Sequence, residues 1–250
     1  MKNTSWQIVS ERYCKSIGSL GDYYHKNIII PKSLKLLNLD KRSSVLDLGC
    51  GEGIFSRYIP TGLDYLGIDI SPSLIKFAKK KNKNPKAKFL VGDITKNLRI
   101  DRKKFSHTVI LLAIQNIENA AAVIHNASSY LCDNGKILIV MNHPCFRIPR
   151  QSSWGIDRKN KIQFRRINRY LSPLKIPINM NPGDRAESKV TWSFHQPISY
   201  YSEALFENGF SILKIEEWIS DKESSGIKSK MENRARQEFP LFMAILGSMG

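Results

Sequence analysis

The chain has 250 residues, 42% of them apolar, four cysteines and a formal net charge of +17. That length suits one α/β domain with an elaboration and can bury a substantial core. No apolar run approaches the ~20 residues a membrane span needs, and the N-terminus lacks an apolar signal core, so the expectation is a cytoplasmic protein with no membrane partner.

The excess charge is concentrated. Lys76–Lys88 holds seven lysines and no acid, and residues 143–198 hold eleven Lys/Arg against three Asp/Glu. Such blocks mark either a nucleic-acid surface or solvated lysines in a Lys- and Ile-rich chain, and few aromatics interleave with the first block. Cys14, Cys50, Cys132 and Cys145 show no paired spacing, so they read as free thiols, and no metal is expected.

Residues 1–43 read as a helical lead-in. Trp6, Val9, Tyr13 and Ile17 recur at helical spacing, Gly18 and Gly21 interrupt, and Tyr23, Tyr24 and His25 precede a second helix, Ile28–Leu39, with Pro31 in its first turn.

Ser44–Leu48 then reads as a short buried parallel strand. It breaks into Gly49, Gly51 and Gly53, after which Ile54, Phe55, Tyr58 and Ile59 resume at helical spacing. Strand, glycine turn and helix together let backbone approach a ligand, and glycine is required where a Cβ would block the turn. A dinucleotide fingerprint would place its third glycine at position 54, which is Ile54. The pattern Asp47-x-Gly49-x-Gly51-x-Gly53 instead resembles motif I of the class I S-adenosylmethionine (SAM)-dependent methyltransferases.

Asp64–Ser71 reads as the next strand, with Asp69 at its tip about twenty residues after the glycine turn. An acid there accepts from ribose hydroxyls, and Ile70 joins it in the expected cofactor set. Ser71 is a plausible N-cap for a helix opening at Pro72. Ala87–Val91 is the third strand, followed by Gly92-Asp93-Ile94. The resemblance implies that Asp93 accepts from the adenine amino group and that Ile94 packs on the ring. Phe105–Leu112 is the fourth strand, and Ala113-Ile114-Gln115-Asn116 leaves its carboxyl end, where open α/β sheets bind ligands. This stretch resembles motif IV, which places Ala113 at the cofactor and Asn116 at the transfer site. It lacks the Asn-Pro-Pro-Tyr of amino-methylating enzymes and the Pro-Cys of cytosine enzymes. A helix over Ala120–Leu131 and an Asn134-Gly135 turn lead to a fifth strand, Lys136–Met141.

The alternation predicts a Rossmann-like α/β fold with helices on both sheet faces. The resemblance covers residues 44–142 and resumes at a helix over Ser199–Asn208, a sixth strand over Phe210–Ile219 and a seventh over Pro240–Gly247. It implies seven mostly parallel strands, the last antiparallel. The domain is expected over residues 44–250, with residues 143–198 inserted between strands five and six as a substrate cap, and Ser220–Lys230 as a loop. The insertion's opening and Trp192–His195 resemble a group of bacterial methyltransferases of unassigned substrate.

His143, on the tip of strand five, is the expected catalytic base beside Asn116. His25, Arg147, Trp154 and His195 are the expected substrate contacts. Cys145 follows strand five as the nucleophile of RNA cytosine enzymes does, yet the accompanying Asp and Pro-Cys are missing. The resemblance implies a SAM-dependent methyltransferase acting by in-line displacement on a small-molecule acceptor. An RNA methyltransferase using the basic blocks and an inactive SAM-binding module are the alternatives.

Overall fold

The computed structural model describes residues 22–100, 105–179 and 190–250, so the lead-in expected around Trp6–Ile17 lies outside the described residues. Helix α1 (Ile30–Leu37) continues from a π-helical turn over His25–Ile29. It begins earlier than the sequence suggested, with Asp22 capping it through the His25 amide (2.9 Å). The π turn has a cause in Pro31, which has no amide to donate to the carbonyl four residues back; Ile30 instead donates to the His25 carbonyl. Asn38, at φ 48°, ends the helix.

The first strands follow the expected order: β1 (Ser44–Leu48), β2 (Asp64–Asp69), helix α2 (Pro72–Lys81), β3 (Ala87–Val91) and β4 (Phe105–Leu111). Ser71 caps α2 through the Leu74 amide. Helix α3 (Ala120–Tyr130) leads into β5 (Leu131–Asn142), whose pairing with β4 shifts register between Phe105 and His107 as the chain passes Asn134 (φ 59°). The insertion forms two antiparallel hairpins, β6 (Ser152–Asp157) with β7 (Ile162–Ile167) and β8 (Leu174–Asn179) with β9 (Val190–His195). Helix α4 (Ile198–Glu207), β10 (Phe210–Trp218), helix α5 (Ser229–Glu238) and β11 (Phe242–Met249) complete the chain.

The main sheet has seven strands in the order β3-β2-β1-β4-β5-β11-β10. β1 to β5 run parallel, and β11 lies antiparallel between β5 and β10, as the resemblance implied. Period-two alternation sends side chains to two cores. Leu46, Ile110, Ile139 and Ile245 face α3 and α4; Val45, Val109, Val140 and Ala244 face α1 and α2. Each fully buried Leu or Ile contributes about 1.5–3 kcal/mol relative to exposure.

Two further elements differ from expectation. After Gly53 the chain makes only one 3-10 turn, Phe55–Arg57. Pro60 disfavours helix at Ile59, and Ser56 Oγ closes the turn onto the Gly53 carbonyl at 2.7 Å. Helix α5, in contrast, has no counterpart in the sequence reading. It buries only Ala235, so its apolar periodicity is absent. Arg234 ties it to the Lys161 carbonyl of the first hairpin.

Among the described residues no helix is long and apolar enough to cross a membrane.

Candidate active site

A cleft of about 280 Å³ opens at the carboxyl tips of β1, β2, β3 and β4. Gly49 and Cys50 both donate to the Ile68 carbonyl, at 2.8 and 3.1 Å, which folds the glycine turn over β2. Gly49 has φ +81°, and a Cβ there would stand 2.6 Å from Ala113 Cβ, so glycine lets the turn close against the tip of β4. Gly51, at φ +55°, lines the cleft and has open space where its Cβ would be.

Asp69 braces the turn. Its Oδ2 accepts from the Gly51 amide (3.0 Å) and its Oδ1 from the Ser71 amide (2.9 Å). Burial pushes its pKa up, and these two amides oppose that shift. Asp93 Oδ1 accepts from the Thr95 amide and hydroxyl at 3.0 and 2.7 Å, which fixes the carboxylate at the tip of β3. Apolar Ile70 and Ile94 share the lining with these acids. On the opposite wall Leu112 holds φ 53°, an uncommon value for a non-glycine residue, with its amide on the Val140 carbonyl (2.8 Å). Asn116 Nδ2 donates back to the Leu112 carbonyl at 3.1 Å.

His25 reaches the same cleft from the start of the first helix. Its Nδ1 lies 2.9 Å from Asp22 Oδ1. The His25 side-chain bond holds Asp22 down at about 2, so the carboxylate can only accept and the imidazole proton sits on Nδ1. Nε2 is left without a hydrogen-bond partner among the described residues. The sequence signal was there to read: an acid three residues ahead of a histidine at a helix start.

Gly49, Gly51, Asp69, Ile70, Asp93 and Ile94 thus line one cleft together with Ala113, Asn116 and His25. Six other residues expected at the site lie elsewhere.

Asp47 is 2% exposed and accepts the Tyr65 hydroxyl at 2.5 Å. Burial lifts it to about 7, opposed by that hydrogen bond and reinforced by the Asp69 charge. It is an internal brace. Gly53 is internal too, since a Cβ would meet the Phe89 ring at 2.8 Å and Ala78 at 3.0 Å.

His143 is 1% exposed and lies outside the cleft lining, which corrects its expected placement as a base. Nδ1 accepts from the Cys145 amide (3.1 Å) and Nε2 donates to Glu217 Oε1 (2.6 Å), so both ring nitrogens are engaged. His195 is also buried, with Nε2 on the Tyr170 carbonyl at 2.6 Å. Arg147 and Trp154 sit in a separate pocket. Burial raises Cys145, which leaves the thiol a poor nucleophile.

Sequence reasoning missed Glu52. It is 2% exposed beneath the glycine turn, with Arg57 at 3.2 Å and Lys81 at 3.1 Å. Spacing to Lys81 in the chain gave no hint of that pairing. It also missed Leu112, whose strain is a property of the backbone alone.

Residues 46–139 match a protein family described as "Methyltransferase domain". The seven-stranded sheet is that of its structural neighbours. A SAM-dependent methyltransferase from Mesorhizobium loti superposes with TM-score 0.66 at 21% identity, covering 89% of this chain and 98% of that one. Residues 46–139 are therefore similar to a methyltransferase domain, and the sheet has the fold of SAM-dependent methyltransferases. Among curated relatives of this domain, a putative methyltransferase of Invertebrate iridescent virus 6 is 33% identical over 110 residues, 43% of this chain and 40% of that protein. The juvenile hormone acid O-methyltransferase of Bombyx mori is 30% identical over 137 residues, 52% of this chain and 49% of that protein. The chain thus spans half or less of the length of these curated relatives. The methyltransferase match ends within β5, so the insertion and the antiparallel strands lie beyond it.

Proposed function

We propose that this chain transfers a methyl group from SAM to a small-molecule acceptor at the carboxyl edge of its sheet. One observation carries the reading: Asp69 and Asp93, on adjacent strand tips, converge with the open glycine turn in a single apolar-floored cleft.

The residues fit the cofactor. Two acceptor-only carboxylates suit a ligand bearing a diol and an amino group, and the open side of Gly51 admits close backbone approach. Asp69 would hold the ribose hydroxyls and Asp93 the adenine amino group, with Ile70 and Ile94 flanking the base. The Gly49–Gly51 turn would receive the amino-acid portion. When bound, SAM supplies a methyl group on a sulfonium, an excellent leaving group, so the protein's task is mainly positioning. Ala113 and Asn116 border the reacting end. His25, its proton held on Nδ1 by Asp22, offers Nε2 to an acceptor that has a proton to lose.

The second hairpin supports a small acceptor. β9 packs on the Ile114–Asn116 turn, and Lys175 reaches Glu118 at 3.5 Å, so this arm flanks the transfer side of the cleft. The O-methyltransferase name of the Bombyx mori relative points the same way.

Calorimetric titration with SAM and S-adenosylhomocysteine tests the reading on wild type, Asp69→Ala and Asp93→Ala. The expected result is micromolar binding by wild type that is weakened at least about tenfold in both variants. Absence of binding by the wild-type chain would reject it.

A further inference from the structure

A second cavity, of about 210 Å³, lies between the start of the first helix, the loop after β5, the first hairpin and the segment before β11. Its walls are aromatic and apolar: Tyr24, Phe146, Trp154 and Phe239 with Leu241. Trp154 and Phe146 each meet the Phe239 ring edge-on, at 5.4 and 5.5 Å between centroids. Two guanidinium groups enter this apolar setting, and among the described residues no carboxylate lines it.

The two arginines differ in their partners. Arg165 is held, with Nε donating to the Phe146 carbonyl (2.7 Å), Nη2 to Ser152 Oγ (2.8 Å) and its Cζ 5.1 Å from the centre of the Trp154 ring. Arg147 is half-buried, and its guanidinium makes no hydrogen bond or ion pair among the described residues. Its Cζ stands 5.9 Å from the centre of the Phe242 ring. A half-buried guanidinium whose five donors are unpaired among the described residues, next to a second cation, is an unmet demand for an anion.

We propose that this cavity binds a small organic anion, a carboxylate or phosphate monoester on an apolar body, with Arg147 forking the anionic group. The aromatic walls take the body, and Arg165 adds charge and fixes the floor. Arginine suits the role because its planar fork matches carboxylate and phosphate oxygens bidentately. Tyr24 walls this cavity and the adjacent His25 lines the cofactor cleft, so the two sites meet at one peptide bond. The proposal stands independently of the methyl-transfer reading, because each site has its own ligand.

The test is calorimetric titration of the full chain with benzoate, phenyl phosphate and the uncharged control benzyl alcohol, alongside S-adenosylhomocysteine. Wild type is expected to bind at least one of the two anions and to bind benzyl alcohol at least about tenfold more weakly. Preference between benzoate and phenyl phosphate then assigns the anionic group. Arg147→Gln should weaken anion binding about tenfold or more while S-adenosylhomocysteine affinity stays within about twofold. Arg147→Lys should fall between them, keeping the charge and losing the fork. Equal affinity for benzyl alcohol, undiminished anion binding by Arg147→Gln, or no binding of either anion at about 10 mM would each overturn the proposal. Should Arg147→Gln lose both ligands through misfolding, Arg147→Lys decides by the same anion criterion. Anion binding that survives in a chain without S-adenosylhomocysteine binding would count against methyl transfer and leave this site standing.

Discussion

The Gly51 amide donates to Asp69 Oδ2 at 3.0 Å, which ties the glycine turn after β1 to the tip of β2. The same carboxylate caps the Ser71 amide, so Asp69 holds the turn in shape while offering its remaining lone pairs to the cleft. Asp69→Asn sets an amide N–H against one of these two backbone donors. The expected cost is about 1–3 kcal/mol of stability together with at least tenfold weaker SAM binding. Thermal unfolding and calorimetry on the same sample separate the two effects. Unchanged affinity would remove Asp69 from the cofactor site.

Gly49 and Gly51 make a sharper comparison, because both have positive φ but only one is crowded. Gly49→Ala places a Cβ 2.6 Å from Ala113, so it should unfold readily and bind no cofactor. Gly51→Ala meets nothing within 4 Å and pays only the left-handed backbone cost, about 1–2 kcal/mol. Gly51 lines the cleft, so an added methyl group competes with close approach of a ligand to this backbone. The expected outcome is a folded protein with SAM affinity reduced at least about tenfold. A Gly51→Ala chain that binds normally would show that the cofactor does not approach this backbone.

These contrasts show what the sequence made legible. Alternating glycines after an apolar strand, with acids at the next two strand tips, are local patterns, and they located the cleft. Asp47 belongs to the same pattern, yet its side chain turns inward to Tyr65, an outcome set by strand alternation. His143 follows a strand tip as a base would, but Glu217 from β10 claims it, seventy-four residues away in sequence. Helix α5 carried no apolar period to detect. Partnerships across the fold were the part that spacing left hidden.

Asp47 gives a pH prediction. Its folded pKa of about 7 stands above the usual 3.8, so the unfolded chain gives up this proton first as pH rises. The stability linked to Asp47 is therefore fully present below about pH 4 and is lost as pH rises through about 7. The slope approaches 1.4 kcal/mol per pH unit at most, about one proton's worth. Asp47→Asn keeps an acceptor for Tyr65 and should remove that component. Denaturant unfolding between pH 4 and 8 checks it, and parallel profiles for wild type and variant would show that Asp47 does not titrate in this window.

The two histidines near the cofactor edge should separate cleanly. His143 is a neutral brace whose pKa is lowered by burial, so its contribution is present above about 6.5 and fades as pH falls and the unfolded chain takes up a proton. His143→Ala leaves the Cys145 amide and Glu217 without their partner and should cost about 1–3 kcal/mol of stability, with little effect on SAM affinity. His25→Gln should do the reverse. SAM affinity and melting temperature should stay near wild type, while turnover of a protic acceptor falls about 100-fold or more. Asp22→Asn should lower turnover less, because it disturbs only the tautomer and orientation of the His25 ring. Turnover maintained in His25→Gln and lost in His143→Ala at equal folded fraction would reverse the assignment.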